Sequence, residues 1–167
     1  VLSGCIKSAS SQPLKTTPLD HGFHHCWFTS RSHATSGPKL NPKAKGNNAK
    51  INGPDQIGGP GHVHGRRAIA ATENGKELLA TGEHAYVLEK LGSRHSDHAM
   101  EFLAGHVKSA ETRDKPFFLY YPANSNHGPH TPDDEIGGVP VKGAARNKAG
   151  EPMNTRADYI YENDVAL

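Results

Sequence analysis

The chain has 167 residues, a hydrophobic fraction of 34%, and 19 lysines and arginines against 17 aspartates and glutamates. The length suits one ordinary domain, but the apolar fraction is low, and 18 glycines and 12 prolines predict a high loop content. A net charge of +2 lacks the strong bias typical of nucleic-acid or membrane-surface binding, so neither partner is expected. No apolar run approaches the roughly 20 residues that a membrane span needs.

Both ends of the sequence look truncated. It starts at Val1 without a methionine or a targeting segment, and it stops at Leu167 inside a helix-like pattern that has no C-cap residue. We therefore expect residues 1–167 to form part of a longer domain. The cysteines, Cys5 and Cys26, define no disulfide framework.

The first 67 residues are poor in regular patterns. Residues 1–20 are polar and turn-prone, whereas residues 21–28 form a compact aromatic cluster that we expect to be anchored in a core. Residues 30–67 are predicted to form a long loop region. Structureless segments of this length are uncommon inside compact domains, which indicates a functional loop or a flap.

Regular structure is clearer later in the chain. Ser93 is predicted to cap a helix that runs to about Lys108. Its apolar residues recur at helical spacing. They are Ala99, Phe102, Leu103 and Val107. The aromatic run 116–121 then predicts a strand buried on both faces.

A second glycine- and proline-rich loop, residues 122–153, separates this strand from a final helix that starts near Thr155. One side of that helix is expected to carry Ala157, Ile160, Tyr161, Asp164 and Val165. Helix, buried strand, long loop and helix indicate an α/β fold. Because ligands in such folds bind beyond the carboxyl ends of strands, the loop after Tyr121 is the predicted functional site.

Two histidines in this loop precede prolines, in the units His127-Gly-Pro129 and His130-Thr-Pro132. A proline two positions after a histidine restricts the local backbone and can aim the imidazole. Spacing alone favours a polar surface loop.

The segment Lys115-Pro-Phe-Phe-Leu-Tyr-Tyr121, followed by a polar run and His127, resembles the sulfatase pattern of a buried strand that leads to a catalytic histidine. His127 has the family's offset from Pro116, whereas His130 comes three residues later. Residues 17–28 and 156–167 are also similar to sulfatase segments. The resemblance covers about half of the chain, since residues 30–92 match only loosely.

The resemblance implies a sulfuric ester hydrolase of the arylsulfatase type. Its fold would be an alkaline-phosphatase-like mixed β-sheet flanked by helices, with long loops, and residues 1–167 would be a partial catalytic domain. The substrate would be a sulfated small molecule or carbohydrate, and the family suggests a periplasmic or extracellular location. His127 would contact the sulfate or the leaving oxygen and assist its departure, because an alkoxide leaves poorly unless it is protonated.

Family members use calcium and a formylglycine made from Cys or Ser in a Cys/Ser-x-Pro/Ala-x-Arg motif. Neither Cys5 nor Cys26 begins such a motif. The family's calcium ligands and active-site lysines also fall outside the matched segments. The resemblance therefore assigns no metal or cofactor ligand to this chain, and we expect the chain alone to be inactive.

Two alternatives remain open at the level of sequence. One is a phosphoryl or phosphonate ester hydrolase of the same superfamily. The other is a non-enzymatic, histidine-rich metal-binding protein in which His95 and His98 share a metal with His84. The spacing of His95 and His98 is more typical of a solvated helix face than of a metal site.

Overall fold

The computed structural model describes residues 16–29, 61–69 and 86–167 of the chain. The chain divides into two compact units, Val1–Leu88 and Glu89–Leu167. The described residues combine helices with two small antiparallel sheets, an α/β content that agrees with the predicted class at this coarse level. None of the described helices has the length and apolarity to cross a bilayer.

In the first unit, a 3-10 helix covers Pro18–His21 and starts at a capping box. The Thr17 side chain accepts a hydrogen bond from the Leu19 amide, and the Asp20 carboxylate accepts one from the Thr17 amide at 2.8 Å. Arg66 pairs with the same carboxylate and, as the main cause, lowers the pKa of Asp20 to about 2. The capping box and this ion pair fix the start of the described segment.

Three short strands form the sheet of the first unit in the order β1 (Trp27–Thr29), β2 (His62–His64) and β3 (Arg67–Ala68), all antiparallel. Gly65 has φ +60°, which suits the tight turn between β2 and β3. The predicted loop region 30–67 therefore extends too far, because its last residues belong to this sheet. Residues 30–60 lie outside the described residues.

The second unit contains helix α1 (Leu91–Lys108), which follows a 3-10 helix at Leu88–Lys90. The helix ends where the sequence predicts but starts before Ser93, whose hydroxyl instead donates to the Lys90 carbonyl at 3.3 Å. The N-cap residue, Lys90, makes no side-chain capping bond. The cap comes from the side chain of Asp133, which is 40 positions away from Ser93.

A hairpin lies within the segment predicted as loop 122–153. Strand β4 (Glu135–Ile136) pairs with β5 (Val139–Pro140). The two residues between them, Gly137 and Gly138, have φ of +57° and +82°. A Gly-Gly pair between apolar residues is a hairpin pattern, so the sequence contained this information.

Helix α2 (Thr155–Ala166) starts as predicted, and the Asn154 side chain caps it by accepting a hydrogen bond from the Ala157 amide at 3.0 Å. The buried side of this helix differs from the side on which the sequence groups Ala157, Ile160, Tyr161, Asp164 and Val165. Ile160 is 44% exposed, and the buried residues of the helix are Asp158, Tyr159 and Glu162. This helix buries polar groups that have hydrogen-bond partners, which an apolar pattern does not reveal.

The predicted buried strand at residues 116–121 is also wrong for the chain as described. These residues form no regular secondary structure, and Phe118 and Tyr120 are 75% and 66% exposed. A strand buried on both faces needs strands beside it and layers above and below it. Neither sheet in the described ranges includes this run. The ring of Phe117 packs against Phe102 and His106.

Candidate functional site

His127 lies on an exposed segment between the aromatic run and the hairpin. Its Nδ1 atom is 2.7 Å from the carbonyl oxygen of Gly128. A carbonyl can only accept a hydrogen bond, so Nδ1 carries the proton in this contact. In the neutral ring the basic lone pair then belongs to Nε2, which is the nitrogen able to exchange a proton with a ligand.

The residue before His127 has an unusual backbone conformation. Asn126 has φ +76°, in the left-handed region that asparagine tolerates better than most residues. Its side-chain oxygen accepts a hydrogen bond from Arg156 Nε in α2 at 3.0 Å. A contact from the helix therefore holds Asn126 in this conformation.

Asn124 connects the same loop to the interior of the unit. Its Nδ2 donates to the Tyr159 hydroxyl at 2.7 Å, and its side chain also bonds to His95 on α1. Burial is the main reason that the pKa of His95 falls to about 4. His95 is therefore neutral at pH 7 and belongs to a structural network, so the predicted solvated helix face is wrong for this residue.

Glu162 of α2 contacts both ends of residues 125–133, which we call the histidine loop. One carboxylate oxygen accepts from the Ser125 hydroxyl and the other from the Asp133 amide, each at 2.7 Å. The residue is 1% exposed. Burial raises the pKa of Glu162, the charge of Asp133 adds to this effect, and the two hydrogen bonds oppose it.

Asp133 ends the loop and is fully buried. Its carboxylate accepts from Lys90 Nζ at 2.6 Å and from the Ser93 amide at 3.4 Å. Burial alone would raise the pKa of Asp133, but these two hydrogen bonds and the Lys90 charge together hold it below its usual value. The side chain of the N-cap residue, Lys90, has no hydrogen-bond acceptor. Asp133 supplies one instead and so caps the first turn of α1.

The adjacent carboxylates Asp133 and Asp134 do not form a paired acid site. The Asp133 side chain is buried, whereas that of Asp134 is 70% exposed. The two neighbouring side chains therefore lie in different surroundings, and only that of Asp134 faces water.

The second histidine of the loop has different surroundings. His130 is exposed, and its ring lies edge-on to that of Tyr159 with the centroids 6.1 Å apart. It therefore packs on α2, while His127 is tied to its own loop backbone.

The described residues do not fit the calcium ion or the formylglycine that the resemblance implies. Within residues 16–29, 61–69 and 86–167, no three His, Cys, Asp or Glu side chains are grouped to hold a metal ion. Cys26 is buried, its Sγ is 3.5 Å from the Gly65 carbonyl, and burial raises the pKa of its thiol. A raised pKa is the opposite of what an activated thiol needs. Cys5 and His84 lie outside the described residues.

The sequence prediction selected His127 but missed the residues that hold its loop. Arg156, Tyr159 and Glu162 recur every three residues along α2, which places them along one side of the helix. This repeat of polar and aromatic residues at helical spacing, close to a polar loop, is the sequence pattern that could have indicated them. No family model, curated protein or solved structure matches this chain.

Proposed function

We propose that this chain is part of a sulfatase, a sulfuric ester hydrolase, and that His127 protonates the leaving oxygen of a sulfate ester. The observation that carries the proposal is the combination of an exposed imidazole with a loop fastened on both sides of it. A proton donor must sit at a fixed distance from the bond that breaks, and a histidine can give up a proton near neutral pH.

The proposal includes a fold in which a mixed β-sheet of the alkaline-phosphatase-like type continues beyond the described strands. The aromatic run 117–120 is exposed and is not a strand in the described residues, and contiguous apolar surface of this kind indicates a face that another element covers. The proposal requires such cover in the active enzyme. If the run stays exposed there, the strand-to-histidine resemblance loses its physical basis.

Calcium and formylglycine enter the proposal through the resemblance alone, since the described residues supply neither. The substrate class we propose is a sulfated small molecule or carbohydrate, and the proposed location is periplasmic or extracellular. The part assigned to this chain is one proton donor and the scaffold that orients it.

The test is a comparison of His127→Ala with His130→Ala in the complete reading frame that contains this chain. The protein would be produced together with a formylglycine-generating enzyme and assayed for hydrolysis of an aryl sulfate. We expect His127→Ala to lower kcat by at least about 100-fold, because general acid catalysis contributes roughly that much. His130→Ala, with its ring against Tyr159, should change kcat by less than about 10-fold.

Two results would overturn the proposal. If His130→Ala abolishes hydrolysis and His127→Ala does not, the wrong histidine has been assigned. If the unaltered enzyme cleaves a phosphonate monoester but no sulfate ester, the phosphoryl or phosphonate alternative replaces the sulfatase proposal.

In the histidine-rich metal-binding alternative, His84 lies outside the described residues, and no group of three His, Cys, Asp or Glu side chains that could hold a metal ion occurs within them. His95 bonds to Asn124, and His98 Nδ1 is 3.2 Å from Glu101 in the same helix. Both rings thus have protein partners. A zinc titration followed by calorimetry would revive this alternative if it showed micromolar binding that His98→Ala abolishes.

A further inference from the structure

The loop that carries His127 is bonded to one helix at several points. Arg156, Tyr159 and Glu162 of α2 contact Asn126, Asn124 and Ser125 respectively. Glu162 also bonds to the far end of the loop, through the Asp133 amide, and the ring of Tyr159 lies against that of His130. The Glu162 carboxylate therefore bridges the two ends of residues 125–133.

We infer that Glu162 is a positioning residue for His127: by bridging Ser125 and Asp133 it fixes the loop in the conformation that binds Nδ1 of His127 to the Gly128 carbonyl. The described hydrogen bonds of Glu162 go to Ser125 and Asp133. It acts through the closure of the loop, and the hydrogen bond to Gly128 then decides which ring nitrogen carries the proton.

The Glu162 side chain is tightly packed against α1. A methyl group on Gly92 of α1 would come within 2.5 Å of the Glu162 Cδ atom. The side chain is thus enclosed by α1 on one side and by the loop on the other. Since both of its oxygens accept hydrogen bonds, its burial is compensated, and a change of conformation would leave buried polar groups without partners.

The inference does not depend on the sulfatase proposal. It concerns the tautomer and orientation of one imidazole, which can be measured without any substrate. Failure of sulfate hydrolysis would leave it intact, and failure of the bridge would leave open which ester the complete enzyme cleaves.

The experiment is nitrogen NMR of the histidine rings in the 167-residue chain and three variants, at a pH where the His127 ring is neutral. In the unaltered chain we expect His127 to carry its proton mainly on Nδ1, because of the Gly128 contact. In Glu162→Ala this Nδ1–H fraction should fall at least about two-fold, toward the Nε2–H form that a solvated imidazole prefers.

Two variants serve as controls. Glu162→Gln keeps one oxygen for the Asp133 amide and places an NH2 group against the Ser125 hydroxyl, which can accept, so the Nδ1–H form should be retained. Asp158→Ala removes another buried carboxylate of α2, whose described hydrogen bond, from the Ala145 amide at 3.0 Å, lies outside the histidine loop. It should leave the His127 tautomer unchanged.

The inference is overturned if the unaltered chain shows His127 mainly as Nε2–H, if Glu162→Ala leaves the tautomer as it was, or if Asp158→Ala shifts it equally. Should Glu162→Ala fail to fold, Ser125→Ala decides instead. That variant removes one end of the bridge, and it must also shift the ring toward Nε2–H.

Discussion

Two neighbouring segments of the second unit differ in a way that reverses the usual relation between polarity and burial. Residues 117–120 are aromatic or aliphatic, yet each is between 39% and 75% exposed. Residues 124–133 are mostly polar, yet Asp133 is fully buried. The difference lies in the partners. The polar loop bonds to both α1 and α2, whereas the aromatic run meets α1 through the ring of Phe117 and no described strand lies beside it.

The comparison shows that burial follows the surfaces available to a segment and not its hydrophobicity alone. A buried carboxylate is tolerated when each oxygen has a hydrogen-bond donor, and the loop meets this condition at Asp133 and Glu162. Stability of this unit should therefore depend more on the polar loop than on the aromatic run. Four measurements test this, from the largest expected effect to the smallest.

The largest effect is expected for Asp133→Ala. The change removes the acceptor for Lys90 and the Ser93 amide, and thereby the cap of α1. We expect the free energy of unfolding, measured by urea denaturation, to fall by about 2–4 kcal/mol. Asp134→Ala is the matched control, since its exposed carboxylate should cost less than about 0.5 kcal/mol. Equal losses in the two variants would show that the buried carboxylate has no special role.

The second prediction concerns pH. The pKa of His95 is about 4 in the folded chain, below the usual value of an imidazole, so the neutral ring stabilises the fold above pH 6.5. This contribution is lost as the pH falls from 6.5 toward 4, because the unfolded chain binds the proton first. Between pH 7 and pH 5 the free energy of unfolding should fall by roughly 2 kcal/mol from this group alone.

His95→Gln tests the assignment, because it removes the titration while keeping a polar side chain near Asn124. Its stability should lose that part of the pH dependence, whereas His98→Gln should retain it. If both variants show the slope of the unaltered chain between pH 7 and pH 5, the pKa of His95 is not depressed.

Gly92 and Gly105 provide the third comparison, within one helix. A methyl group at Gly92 would clash with Glu162, whereas one at Gly105 meets no atom within 4 Å. Gly92→Ala should therefore destabilise the unit by about 1–3 kcal/mol through overpacking. Gly105→Ala should stabilise it by about 0.5–1 kcal/mol through helix propensity. Thermal unfolding of both variants would decide, and a stabilising Gly92→Ala would mean that α1 and α2 are farther apart than described.

The smallest effect is expected in the aromatic run. Tyr120→Ser removes a ring that is 66% exposed and should change the free energy of unfolding of this chain by less than about 0.5 kcal/mol. Chemical denaturation of the variant is the measurement. A loss above about 2 kcal/mol is typical of a buried large side chain and would restore the interior strand that the sequence predicted.

Local patterns predicted the end of α1 and the start of α2. The helical periodicity before Lys108 and the turn-forming residues before Thr155 are both short-range features, and such features survive in the folded chain. The histidine loop was predicted for the same reason, since its prolines and glycines exclude regular structure around His127. These parts depend little on distant residues.

The rest depended on contacts between distant residues. Asp133 caps α1 from 40 positions away, and Glu162 reaches Ser125 and Asp133 across the loop, so no local rule could assign either role. The apolar residues of α2 do not mark its buried side, because the buried residues Asp158, Tyr159 and Glu162 are polar or aromatic. The aromatic run was mispredicted because its composition is typical of a buried strand. Composition does not show whether other strands or helices cover the run. The strand β2 and the hairpin were missed although the Gly137-Gly138 pair indicated the latter.

The capping of α1 by Asp133 has a consequence for local unfolding. Because the acceptor for the Ser93 amide is carried by the loop, any opening that lifts the loop also exposes the start of the helix to solvent. The backbone amides of Ser93 and Asp133 should then exchange hydrogen for deuterium through one shared event and at matched opening free energies. Hydrogen exchange in the first turn of α1 should therefore report whether the histidine loop is bound to the helix.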